Sequence, residues 1–164
     1  MEENKLKWWH VALVVIVANL ISAIPAGING EAVFYNSFQQ PAIAPPDWLF
    51  APIWLFLNIT SAWALYLVAN LAKNTPGRKA FLVSEAIGWV LFAAFALVYF
   101  GLKSPILGAV VTVVGLAVAV ISFMLGLRLH KRAAIFISLR VLWLLLASYV
   151  SVYIATHNAD TFFG

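Results

Sequence analysis

"QPAIAPPDWLFAPIW", residues 40–54, packs four prolines and two tryptophans into fifteen positions. Proline fixes φ and removes an amide donor, so the stretch reads as a stiff connection. What it connects decides the fold. Before it, an apolar run covers about residues 9–24 and is closed by Pro25 and Gly27; after it, a second covers about 50–71. Three more follow at about 80–100, 105–127 and 133–155. A helix that crosses a bilayer needs roughly 20 mainly apolar residues. The predicted fold is therefore an all-α integral membrane protein, a bundle of five transmembrane helices forming one domain over residues 1–164. The longest stretch outside the spans, residues 26–49, is the first loop.

Composition agrees. Of the 164 residues, 64% are hydrophobic and only 10% charged, and the mean hydropathy is +0.97. Too few polar groups remain to cover a water-facing exterior, so lipid must be the solvent. The absence of cysteine excludes disulfide frameworks, thiolate catalysis and cysteine metal sites. Thr75-Pro76 and Ser104-Pro105 each offer a capping hydroxyl followed by proline at the first helical position. The first run also resembles a signal peptide, with Lys5 and Lys7 ahead of it and small residues near Ala23 and Ala26. Its long apolar core and Pro25 favour a retained helix.

Charge sets the orientation. With five spans, the N-terminus and the second and fourth loops share one side, which carries Lys5, Lys7, Lys73, Arg78, Lys79, Arg128, Lys131 and Arg132. The opposite side carries Lys103. This bias predicts a cytoplasmic N-terminus, with the proline-rich loop and the C-terminus across the membrane, and it suits a prokaryotic plasma membrane. The net charge of +4 is then explained by topology and anionic headgroups, not by nucleic acid.

Several polar and aromatic residues fall inside the spans. Glu85 and Arg140 should lie at similar depth, because the third and fifth spans start from the same basic side; they either form an ion pair or snorkel separately to the headgroups. Asn19 and Asn58 suit hydrogen bonding between helices, and Asn58 shares a face with Trp54 at spacing i, i+4. Gly108, Thr112, Gly115, Ala119, Ser122 and Gly126 form a stripe of small residues on the fourth span, a packing surface for a helix of this chain or of a second subunit. Trp8, Trp9 and Trp48 fit the interfacial aromatic belt. Trp143, Ala147 and Ser151 share one face of the fifth span, where a flat ligand could stack on the ring or another helix could pack. His10, His130 and His157 lie at helix ends on both sides of the membrane, so no metal site is expected. No phosphate loop, nucleophile elbow or carboxylate pair appears.

"FYNSFQQPAIAPPDWLFAPIW" (residues 34–54) resembles the signature of the TspO/MBR family, the tryptophan-rich sensory or translocator proteins, through Phe34, Tyr35, Pro41, Pro45, Pro46, Trp48, Phe50 and Trp54. Trp143, Ala147 and Asn158 are similar to a second family pattern, and "YFGL" (residues 99–102) looks like the family's ending of helix three. The chain departs from the family at Ile43, Asn58, Phe92, Phe95, Leu139-Arg140 and Ser151. The cholesterol-recognition pattern of animal members is absent, because Tyr153 is followed by Ile-Ala-Thr-His; sterol binding is not expected.

The resemblance implies a five-helix bundle, often a homodimer, that binds porphyrin or haem beneath its first loop, as sensor or transporter. The implied ligand contacts are Tyr35, Pro41, Pro45, Trp48, Phe50, Trp54, Asn58, Trp143, Ala147 and Ser151. Rigid prolines then make the first loop a preorganised lid that loses little entropy on closing. Two other classes compete. Trp54 and Trp143 could act as redox rings in light-dependent porphyrin degradation, or the protein could be a regulatory membrane partner working through its small-residue stripe without binding tetrapyrroles.

Overall fold

The computed structural model describes residues 6–164. Its long helices are α1 (Trp8–Asn29), α3 (Phe50–Ala69), α4 (Arg78–Ala96), α5 (Pro105–Leu129) and α6 (Lys131–His157), with a short α2 (Glu31–Asn36) in the first loop. A 3-10 turn (Asp47–Leu49) leads into α3, and a wider π turn (Leu97–Gly101) ends α4. The five long helices are each long and apolar enough to cross a membrane. The predicted five-helix architecture stands, with Lys5 outside the described residues.

Packing runs round a ring: α5 lies along α6 and α4, α3 packs on α6, and α1 closes the ring against α3 and α4. At the basic end, Ala64, Val68, Phe81, Ala133 and Ile137 form a tight core. Small residues allow it. Gly126 approaches Ala134 so closely that an added Cβ would sit 3.2 Å from its Cα. Ser122 and Ser84 hydroxyls meet at 2.8 Å, Ala119 and Thr112 are buried, and an added Cβ on Gly108 would sit 2.6 Å from Tyr99 Cδ2. The stripe on α5 is thus used within the chain. Gly115 is its exception: an added Cβ there would meet nothing within 4 Å.

Three local expectations are corrected. Pro25 does not close the first helix, which continues to Asn29 and ends at Gly30 in the left-handed region (φ 69°). Spanning helices tolerate an interior proline because neighbouring elements stabilise the interrupted turn. The first loop is not all loop, since it contains α2. Thr75-Pro76 is not a helix cap: the Thr75 carbonyl accepts from the Arg78 amide at 3.1 Å, and α4 begins only after Gly77, whose φ of 85° suits glycine alone. Ser104-Pro105 does cap α5, with Ser104 Oγ accepting from the Leu107 amide at 3.1 Å.

Candidate ligand-binding site

The end opposite the basic core is hollow. A cavity of about 360 Å³ lies between α1, α3, α4 and the first loop, walled by Asn19, Ser22, Ala23 and Ala26 on α1, by Phe50, Ala51, Trp54 and Leu55 on α3, by Phe92, Phe95, Ala96, Tyr99 and Phe100 on α4 and the turn after it, and by Tyr35 and Asp47 from above. The hollow has a steric origin. α1 offers alanine and serine where α3 and α4 offer rings, so the helices are held apart by aromatics on one side only. Phe34, Phe95, Tyr99 and Phe100 pack edge to face or stacked, with centroids 4.9–6.3 Å apart. Such pairs rigidify the wall.

The first loop roofs this space. Tyr35 is buried and its phenol donates to the Pro45 carbonyl at 2.8 Å, while Gln40 Nε2 donates back to the Tyr35 carbonyl at 2.6 Å. Burial, with a smaller contribution from the Asp47 carboxylate, pushes the Tyr35 phenol up to about 12. It therefore remains a donor throughout the neutral range. Pro41 and Pro45 are buried. Trp48 is 70% exposed, pointing outward from the bundle. Asn158, just beyond α6, clamps the roof: its Oδ1 accepts from the Gln39 amide at 2.8 Å and its Nδ2 donates to the Gln39 carbonyl at 3.0 Å. Next to it, Asp160 Oδ2 accepts from Ser104 Oγ at 2.7 Å and the Ile106 amide at 2.9 Å, and its Oδ1 from the Phe162 and Phe163 amides. Burial would raise this carboxyl, but these four bonds outweigh it and hold Asp160 below the ordinary carboxylate value.

A second, smaller chamber of about 50 Å³ lies deeper, between α3, α4, α5 and α6. Trp54, Phe92 and Phe95 border both spaces, and the Trp54 and Phe92 rings meet at 5.1 Å. Asn58, Thr112, Gly115, Arg140 and Ala147 line the inner chamber. Arg140 and Glu85 meet there: Nη1 donates to Glu85 Oε2 at 3.1 Å and Nη2 to Oε1 at 2.5 Å. Nη1 also reaches Ser61 Oγ at 3.3 Å. Glu85 is fully buried and Arg140 nearly so. Asn58 Nδ2 donates to Asn19 Oδ1 at 3.2 Å, joining α3 to α1 at mid-depth.

The structure therefore gathers Tyr35, Phe50 and Trp54 at the outer cavity, and Asn58 and Ala147 at the inner chamber. Trp143 borders neither; it is buried and packs edge-on against Phe50 at 5.7 Å, supporting the wall from behind. Ser151 borders neither space. Sequence reasoning passed over Asp160, whose signal was a lone acid in an apolar C-terminal segment. It also gave no role to Ser61, one helical turn from Asn58. Tyr99 and Phe100 carried a motif, and Phe92 and Phe95 counted as departures, but all four are wall residues.

Comparison with known proteins agrees with this architecture. The description of the TspO/MBR family matches residues 10–156. A Tryptophan-rich protein TspO from Chlorobaculum tepidum is 29% identical over 125 residues, covering 76% of this chain and 79% of its own. A Tryptophan-rich protein TspO from Archaeoglobus fulgidus is 27% identical over 152 residues, covering 88% and 97%. With five spans, a proline-bearing roof and a match that runs from α1 to α6, the chain belongs to the TspO/MBR family of integral, multi-pass membrane proteins.

Proposed function

We propose that the outer cavity receives a tetrapyrrole, porphyrin or haem, or a similarly flat apolar ligand, and that the protein acts as a sensor or transporter of it. The observation that carries this reading is the cavity of about 360 Å³, walled by rings and roofed by a loop hinged on few hydrogen bonds. Ligand pockets commonly measure about 300–1,000 Å³ and are mainly apolar with few polar groups. A tetrapyrrole is wider than the closed space, so the roof lifts to admit it. Trp54 stacks on the ligand, and Tyr35 and Asp47 meet its upper edge. The basic end faces the cytoplasm and the roof faces the opposite side, following the distribution of Lys and Arg.

The test is quenching of tryptophan fluorescence by protoporphyrin IX and by haem, for the purified protein in detergent, with wild type, Trp54→Phe and Trp143→Phe compared. Saturable micromolar quenching is expected in wild type. Trp54→Phe should weaken it several-fold, and Trp143→Phe less, because Trp143 acts through Phe50. Absence of saturable quenching in wild type would overturn the assignment.

A further inference from the structure

Arg140 is unusual in what it leaves unused. Of its five N–H donors, two point to Glu85 and one to Ser61; the others have no protein acceptor among the described residues, and Arg140 borders the inner chamber. Trp89 borders the same chamber, and its buried indole N–H lacks an acceptor. Two donor-bearing side chains thus meet around a space of about 50 Å³, enough for one or two water-sized groups. A buried donor without a partner, as at Trp89, is costly, and the spare Arg140 donors face the same space. Such a cluster inside the helical bundle suits an acceptor from outside the chain.

The charge balance says which acceptor. Glu85 already neutralises Arg140 through a two-pronged contact, so no net positive charge is available. An anion entering here would lose its hydration and meet the Glu85 carboxylate close behind the guanidinium. A neutral oxygen incurs neither cost and takes charge-assisted hydrogen bonds. We propose that the inner chamber is a socket for one neutral acceptor oxygen, a carbonyl or an ester, carried on the edge of a flat apolar ligand seated in the outer cavity, with Arg140 as its donor. The proposal rests on reading the outer cavity as the seat of such a ligand, though not on that ligand being a tetrapyrrole. The oxygen reaches its socket past Trp54 and Phe92, which border both spaces. Glu85 is then a positioning residue that fixes the guanidinium plane.

The test uses fluorene and fluorenone, flat rings of the same outline that differ by one carbonyl, titrated against the full chain in nanodiscs and followed by tryptophan fluorescence. Wild type is expected to bind fluorenone about tenfold more tightly than fluorene, as a hydrogen bond to a charged donor implies. Two variants remove the preference by different routes. Gly115→Val fills the chamber from a position where an added Cβ meets nothing within 4 Å. The double variant Glu85→Met with Arg140→Met removes donor and counterion together, a replacement that buried pairs commonly tolerate. In both, the fluorenone-to-fluorene affinity ratio should fall to about one. Equal affinities in wild type, binding of neither probe, or a preference that survives in a folded variant would each overturn the socket. Failure of porphyrin quenching beside an intact fluorenone preference would remove the tetrapyrrole assignment and leave the socket standing.

Discussion

Asn158 is the handle on the roof. Replacing it with alanine removes the hydrogen bond from the Gln39 amide (2.8 Å) and the one to the Gln39 carbonyl (3.0 Å). The Tyr35–Pro45 and Asn36–Asp47 contacts remain. A neutral hydrogen bond contributes about 0.5–1.5 kcal/mol net, and both of these are partly solvated, so the pair holds the closed loop by about 1–2 kcal/mol. That corresponds to about a 5- to 30-fold rise in the open population. Native-state hydrogen exchange reads it directly, because the Gln39 amide is itself one of the bonds and the Ala44 amide, bonded to the Pro41 carbonyl at 2.9 Å, lies at the centre of the loop. Both should exchange about 5- to 30-fold faster in Asn158→Ala, with the middle of α6 unchanged. Asn158→Asp keeps the acceptor and loses the donor, so it should fall between. Uniform acceleration throughout the bundle would mean that Asn158 supports the fold as a whole, and no acceleration would mean that the roof is held elsewhere; either refutes the reasoning.

Other expectations concern packing between the helices and the C-terminal segment. Glu85→Leu alone leaves the Arg140 guanidinium buried with only Ser61, and should cost about 3–5 kcal/mol, while Glu85→Leu with Arg140→Met should restore most of it; thermal unfolding in detergent of the single and double variants reads the coupling. Gly108→Ala drives a Cβ to 2.6 Å from Tyr99 Cδ2 and should cost about 1–3 kcal/mol by overpacking, whereas Gly115→Ala should cost nothing in the same assay. Asp160, held below its ordinary value of 3.8, anchors the C-terminal segment fully above that pH and loses its grip as pH falls through the lower folded value. Pepsin should accordingly cleave at Phe162–Phe163 in wild type only in strong acid, and in Asp160→Asn also at about pH 4.5.

The spans were legible because apolar runs of this length have one stable solution in lipid. Position along a helix is harder to read than its existence. Pro25 ends helices in water, yet here its turn is supported by packing, which only the assembled bundle supplies. Trp54 and Trp143 look equivalent as residues. They differ because α3 turns Trp54 toward α1 and α4, whereas α6 turns Trp143 behind Phe50. Similar depth for Glu85 and Arg140 was legible in the sequence, but whether they pair or snorkel apart was decided only by the facing of α4 and α6. Asp160 was not legible, since its partners Ser104 and Ile106 lie more than fifty residues away.

Of the five spans, α1 buries the smallest share of itself within the protein. Along its length it is joined by the Asn58–Asn19 bond at mid-depth and the Asn70–Leu6 bond at 3.1 Å near its start, and its contribution to the cavity wall is mostly small side chains. In a bilayer, lipid would complete the wall that α1 begins. Anything apolar enough to fit that space dissolves first in the bilayer, so its concentration there, and not in water, sets occupancy. Apparent affinity for such a solute should therefore fall as the volume of lipid or detergent that shares it rises.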